Sequence, residues 1–175
     1  MTATEQVILV DENDHPIGTA DKITAHREAL CHRAFSVFIF REKETLELLL
    51  QQRAFHKYHS PGLWTNTCCS HPYPGENTII AGQRRLREEM GIEIMLKWVG
   101  SFHYIAHFEN GLTENEVDHV LIGKSVDDAL TINPLEVEDY RWISLPKLKK
   151  EMHELPEKFT PWLKEALTIA ERSFI

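Results

Sequence analysis

The sequence predicts an α/β fold, a mixed β-sheet covered by helices on both faces. Three observations carry that expectation. Short runs rich in β-branched and aromatic residues outnumber helical stretches. The helical stretches fall between paired strands rather than after them, and segment 77–90 bears the signals of both ends of an amphipathic helix. At 175 residues, 42% hydrophobic and 26% charged, the chain reads as one soluble domain over residues 1–175.

Taken in order, residues 7–11 and 35–41 read as strands from their Val, Ile and Phe content. Residues 46–53 pair with the second of these through the polar turn REKET. Residues 63–71, LWTNTCCSH, read as a short strand that runs into a Pro/Gly loop. Helix 77–90 begins at Asn77, a capping residue, and Gly91 sits where a helix stops. Strands are expected at 97–108, 114–122 and 140–143, the last followed by a helix opening at Leu145-Pro146. Thr160-Pro161 reads as a cap followed by a first-turn proline, starting a C-terminal helix.

A net charge of −8 argues against a general nucleic-acid binder or a membrane-surface protein, yet leaves room for a local anion pocket. No run approaches the ~20 apolar residues of a membrane span, and the N-terminal stretch lacks the basic start of a secretion signal. The expected location is the cytoplasm, where thiols stay reduced. Cys31, Cys68 and Cys69 make a poor disulfide framework, since adjacent cysteines are badly placed to bridge each other.

Groups with metal-ligand character gather at His26 with His32, Cys69 with His71, Glu88-Glu89, and Glu114-Asn115-Glu116. Along a strand, alternate side chains share a face, so Glu114 and Glu116 point one way. By the same rule Cys69 and His71 share a face and Cys68 takes the other. Two carboxylates on one face repel unless a positive charge lies between them. A divalent cation is the economical answer, with imidazoles from His26, His32 and His71 completing its surround. Each signal has a plainer reading alone: Glu114 and Glu116 as an edge-strand face, Cys68 and Cys69 as small hydrophobes.

On helix 77–90, Ile79, Leu86 and Met90 form the core stripe, with Glu88 nearly opposite in solvent. Thr78, Gly82, Arg85 and Glu89 run along one edge, where a helix borders a cleft. Arg85 and Glu89 fit either an exposed ion pair or an anion-facing cation beside a metal-binding carboxylate. A glycine within a helix costs ~1 kcal/mol, so Gly82 signals close approach of something.

Together these residues resemble a known family. Residues 70–92, SHPYPGENTIIAGQRRLREEMGI, resemble the Nudix box, G-x5-E-x7-R-E-U-x-E-E-x-G-U with U aliphatic. Glu76, Arg84, Leu86, Glu88, Glu89, Gly91 and Ile92 match; Ser70 replaces the leading Gly, and Arg85 replaces the Glu after the motif Arg. That second change removes a carboxylate that diphosphate hydrolysis would use. TNTCCSHP (65–72), PGLWTN (61–66), ENEV (114–117), HRAFSVFIF (32–40) and TPW (160–162) are similar to signatures of type I isopentenyl-diphosphate isomerase, built on the Nudix fold. The likeness runs nearly the whole chain and implies a Nudix-like sandwich.

It also implies roles. Cys69 and Glu116 match the family's two catalytic acid/base groups, and Tyr104 the tyrosine that hydrogen-bonds near the catalytic carboxylate. His26, His32, His71, Glu114 and Glu116 match its divalent-metal ligands, the ion being Zn²⁺, Mn²⁺ or Mg²⁺. Glu89 matches the carboxylate for a second cation, Mg²⁺ carried with the substrate diphosphate. Lys22, Arg53, Lys57 and Arg85 match its diphosphate-contacting cations.

The implied reaction shifts a double bond between isopentenyl and dimethylallyl diphosphate. An acid protonates the alkene, a tertiary carbocation-like centre forms, and a base removes a neighbouring proton. Trp162 is the candidate aromatic face for that charge, with Trp64 second and better suited to core packing. Two other readings stand beside this one: a Nudix hydrolase of a small diphosphate, and a non-catalytic metal-binding protein. The only partner expected is a small diphosphate, with a monomer the simplest assembly.

Overall fold

The computed structural model describes residues 5–125 and 130–174. The one-domain reading over 1–175 thus includes positions 1–4, 126–129 and 175, which lie outside the described residues. In chain order the elements are β1 (Gln6–Val10), β2 (Pro16–Asp21), α1 (Lys22–Arg27), β3 (His32–Glu42), β4 (Leu46–Arg53), β5 (Trp64–Thr65) and β6 (Cys68–Ser70). There follow α2 (Thr78–Met90), β7 (Lys97–His107), β8 (Thr113–Lys124), β9 (Val137–Ser144), α3 (Leu145–Glu154), a 3₁₀ turn (Pro156–Lys158) and α4 (Leu163–Arg172).

β3 is the axis. Along one edge it pairs in parallel with β8, from His32 opposite Glu116 to Phe40 opposite Lys124. Along the other it pairs antiparallel with β6 at Phe35–Val37 and then with β4 at Phe40–Glu42. β7 extends the sheet beyond β8, β9 beyond β4, and the β1–β2 hairpin joins where Leu9 meets His32. The sheet is mixed, as the sequence predicts.

Alternation along β3 makes two cores. Phe35, Val37 and Ile39 pack with Leu49, Leu121 and the Ala81, Leu86 and Met90 stripe of α2. Phe38 and Phe40 face the other way, onto Leu148 of α3 and Leu163, Ala166 and Leu167 of α4. Each fully buried Phe or Leu contributes roughly 1.5–3 kcal/mol, so helices are held on both faces. The second stripe changes character along its length. Beyond Phe38 it continues as Ser36, the small Ala34 and His32, and on β8 the residues beyond Val120 are Asp118, Glu116 and Glu114. Where α4 no longer covers the sheet, the side chains turn polar.

α2 forms as expected. Asn77 Oδ1 accepts from Ile79 N at 3.0 Å and Ile80 N at 3.2 Å, and Gly91 ends the helix at φ +69°. Gly82 answers its sequence signal by packing: a Cβ there would lie 2.5 Å from Leu121 Cδ1. The approaching group is the sheet. Among the described residues, no helix is long and apolar enough to cross a membrane.

Two expectations need correction. Segment 63–71 is two short strands, because Asn66 and Thr67 turn the chain from β4 to β3; His71 lies past the second. Thr160 does not cap α4: its hydroxyl meets Thr65 Oγ1 at 2.8 Å, and the helix starts at Leu163 with Trp162 at the cap. The sequence reading also passes over β2 and α1, which Asp21 caps through Ile23 N and Thr24 N.

Candidate active site

The polar end of the stripe forms the wall of a cavity of about 290 Å³. Cross-strand pairing sets its chemistry. Cys69 lies opposite Ser36, Glu116 opposite His32, and Tyr104 opposite Glu116. Cys69, His71, Tyr104, Glu114, Glu116 and Trp162 all line the cavity, as do the expected cations Lys22, Arg53, Lys57 and Arg85. His26 and His32, wholly buried, stand behind the wall. Cys68 takes the other face, as alternation requires, and joins the α2 core.

His26, His32, His71 and Glu116 offer four ligand atoms within 4.8 Å of one another, and His26, His59 and Glu114 form a second such set. The imidazoles are aimed from behind. His26 Nδ1–H donates to the Lys22 carbonyl at 2.7 Å and His32 Nδ1–H to the Leu30 carbonyl at 2.8 Å. In a neutral ring the Nε2 atom then carries a lone pair. Yet His26 Nε2 lies 2.8 Å from Glu114 Oε1, and His32 Nε2 lies 3.1 Å from Glu116 Oε1. Two acceptors at that range need a proton or a cation between them. The donor set therefore fits a divalent ion, with backbone carbonyls orienting its imidazoles.

Tyr104 O–H reaches Glu114 Oε2 and Glu116 Oε2, each at 2.9 Å. One hydroxyl proton cannot serve two ionised carboxylates at once, so the second contact needs a proton from a carboxyl. Burial and the neighbouring Glu114 charge push Glu116 up to about 8. Burial also works against the Glu114 charge, but hydrogen bonds from Glu116, His26 and His59 outweigh it and hold Glu114 well below the usual carboxylate range. The pair divides into one acid and one anion.

Cys69 is held as a neutral thiol, its value pushed up to about 12 by burial and then by Asp118. Its S–H donates to Asn66 Oδ1 at 3.1 Å, and Trp162 Nε1–H is shared between Cys69 Sγ and Asn66 Oδ1, both at 3.2 Å. Asn66 is fixed by donating to the carbonyls of Val37 (3.1 Å) and Cys68 (2.9 Å). Ser36 Oγ–H is committed to Asp118 Oδ2 at 2.7 Å. Burial and then Glu116 push Asp118 well up, so this buried carboxyl favours its neutral form.

Three of these four cations, Lys22, Lys57 and Arg85, have carboxylate partners. Lys22 pairs with Glu5 at 2.5 Å, Lys57 with Glu136, and Arg85 Nη2 meets Glu89 at 3.1 Å and Glu136 at 3.5 Å. The Arg53 guanidinium lies 5.6 Å from the Trp162 ring centroid. Glu89 does not line the cavity and belongs to neither ligand set; its Oε2 accepts from Cys68 Sγ–H at 2.6 Å. Trp64 packs against the α4 core, 4.8 Å from Arg141, in line with the plainer reading of it.

Sequence reasoning overlooked His59, Asn66, Asp118 and Ser36. Asp118 continues the Glu114, Glu116 alternation and Ser36 continues that of His32, so periodicity held their signal. Asn66 looks like any turn residue, and His59 stands in a loop with no spacing tied to Glu114.

Residues 31–163 match the NUDIX domain family. Among curated proteins, the chain is 47% identical over 163 residues to isopentenyl-diphosphate Delta-isomerase 2 of Aromatoleum aromaticum, covering 93% of this chain and 85% of that one. It is 48% identical over 170 residues to isopentenyl-diphosphate Delta-isomerase of Photobacterium profundum, covering 95% and 94%. Among solved structures, a Deinococcus radiodurans protein superposes with TM-score 0.72 at 20% identity, covering 94% of this chain and 99% of that one. The Ap4A hydrolase of C. elegans superposes at 0.58 and 19% identity, covering 81% and 96%. At such identities the structural matches speak to the fold alone.

Proposed function

The chain belongs to the isopentenyl-diphosphate Delta-isomerase family of NUDIX-domain proteins and interconverts isopentenyl and dimethylallyl diphosphate; we propose that Cys69 and Glu116 are its two proton-transferring groups. The observation that carries this reading is that both line one cavity, the Cys69 thiol, pushed up to about 12, 3.2 Å from Trp162 Nε1 and the Glu116 carboxyl 2.9 Å from the Tyr104 hydroxyl. An unactivated alkene is a feeble base, so it needs a positioned acid with its proton in place.

The reaction runs both ways, so each group is acid in one direction and base in the other. A proton added at the terminal alkene carbon leaves a tertiary carbocation-like centre. Removal of a proton from the neighbouring carbon then forms the shifted double bond. When Cys69 gives its proton, the Trp162 N–H at 3.2 Å is positioned to hold the charge forming on sulfur. Tyr104 O–H, at 2.9 Å, does the same for the Glu116 carboxylate. The Trp162 ring offers its face to the cationic centre, and limiting water keeps that centre from capture as an alcohol.

Lys22, Arg53, Lys57 and Arg85 suit the diphosphate, whose oxygens would replace the carboxylates of Glu5 and Glu136 as partners. His26, His32, His71, Glu114 and Glu116 would hold the divalent ion, and the imidazole-rich set suits Zn²⁺ or Mn²⁺ better than Mg²⁺. Once bound, that ion supplies positive charge that draws the two carboxylates together and biases the protonation of Glu116. For the Mg²⁺ expected with the diphosphate, Glu89, whose Oε1 accepts from Arg85 Nη2 at 3.1 Å, would be the carboxylate ligand.

The test is to give metal-loaded protein isopentenyl diphosphate and follow phosphorus and carbon by NMR. Dimethylallyl diphosphate with its diphosphate intact is the expected product. Release of inorganic phosphate would favour the hydrolase reading, and absence of turnover at every divalent-metal loading would leave only metal binding.

A further inference from the structure

We propose that His59 is a further protein ligand of the divalent ion, beyond the three histidines and two carboxylates that the sequence singles out, and that through it the ion orders the segment carrying Arg53 and Lys57. The proposal rests on the metal reading above. His59 is 6% exposed, and its Nε2 lies 2.7 Å from Glu114 Oε1, the same oxygen that His26 Nε2 meets at 2.8 Å. The ligand atoms of His26, His59 and Glu114 lie within 4.8 Å of one another, as do those of His26, His32, His71 and Glu116. Both sets use His26. Its Nδ1 is committed to the Lys22 carbonyl, so it has only Nε2 to offer and can serve only one ion. The two sets therefore adjoin at His26 Nε2, where the proposal places one ion.

The surroundings of His59 aim its ring there. It stacks on Phe108 (centroids 5.0 Å apart, planes at 12°) and meets Tyr58 and Trp162 edge-on at 4.5 and 5.9 Å. Its carbonyl is pinned by Arg53 Nη2 at 3.1 Å. The next residue, Ser60, has φ +49°, a left-handed backbone that a non-glycine residue adopts only where its surroundings impose it. On its far side Nδ1 meets Ser60 Oγ at 3.5 Å, so among the described residues the ring's closest polar partner is the Glu114 oxygen at 2.7 Å.

His59 stands in the same loop as Lys57, and Arg53 begins that loop at the end of β4. A ligand from this loop would tie the diphosphate-binding cations to the metal, so that the loop settles when the ion binds. A histidine that only hydrogen-bonds Glu114 would leave the ion with three imidazoles.

X-ray absorption on the zinc-loaded, full-length protein counts those imidazoles directly. The expected count is four, falling to three in His59→Ala and His59→Gln. Zinc affinity by chelator competition should drop at least about tenfold in both variants. Zinc-dependent amide-exchange protection across 55–62 should be present in the parent protein and lost in both. Glutamine keeps an N–H able to reach Glu114, so recovery of affinity in His59→Gln would reduce His59 to a hydrogen-bond partner and overturn the proposal. A count of three in the unaltered protein overturns it without any variant, while leaving the metal site intact. Failure of the unaltered protein to bind zinc at all would overturn both.

Discussion

Removing the Tyr104 hydroxyl isolates one contact in the proton-transfer machinery. In Tyr104→Phe the ring keeps its place, stacked 5.5 Å from Phe102 and tilted 6.2 Å from Trp162, while the O–H that meets Glu114 and Glu116 at 2.9 Å is lost. A hydrogen bond to a charged acceptor is worth about 1.5–3 kcal/mol. The contact is strongest when Glu116 is ionised, a state the reaction must pass through. At 1.36 kcal/mol per tenfold in rate, its loss should lower kcat by roughly 10- to 150-fold. KM should hardly move, because the cations that suit the diphosphate do not contact Tyr104. Initial rates at saturating isopentenyl diphosphate, read by NMR on protein of unchanged near-ultraviolet circular dichroism, make the assay. A kcat within threefold of the parent would refute the role given to this hydroxyl.

Cys69→Ala should abolish detectable turnover. Cys68→Ala should keep most of it while losing about 1–3 kcal/mol of stability in denaturant melts, since it leaves Glu89 Oε2 without its buried donor; equal loss of activity would reverse the face assignment. Stripping the ion with a chelator should stop turnover and lower Tm, and adding back Zn²⁺ or Mn²⁺ should restore both; full activity in metal-free protein would remove the ion from the account. Glu76 accepts two hydrogen bonds from Arg84, each at 2.9 Å, and these, against a smaller opposing effect of burial, hold its carboxyl below the usual range. The clamp therefore stabilises the fold above the ordinary carboxylate pKa and fades as pH falls through the depressed folded value. Glu76→Gln should cost about 1–2 kcal/mol at pH 7, with the gap to the parent closing as the pH is taken down through that range; a gap that persists in acid would contradict this.

Local rules made much of the site legible. Asn77 and Gly91 bound α2 because a helix end needs a partner for its free N–H groups and a residue that tolerates positive φ. The period of two separated Cys69 from Cys68, and paired Glu114 with Glu116, before any coordinates. What stayed hidden depends on distant partners. β2 (PIGTAD) lacks apolar alternation and becomes a strand because β1 offers it an edge. The six residues of α1 are too few for a helical period to register, so His26 could not be assigned to a helix. The break at Asn66-Thr67 follows from a change of pairing partner from β4 to β3. His59 reaches Glu114 only through the strained turn at Ser60, which leaves no regular spacing in the sequence.

The most direct measurement is turnover of isopentenyl diphosphate by the metal-loaded protein in D₂O, with the product followed by NMR. If Cys69 and Glu116 exchange protons with solvent and pass them to the substrate, dimethylallyl diphosphate will carry deuterium in its newly formed methyl group, and neither Cys69→Ala nor Glu116→Gln will form it. Unlabelled dimethylallyl diphosphate, or labelled product at the parent rate from either variant, would contradict the account.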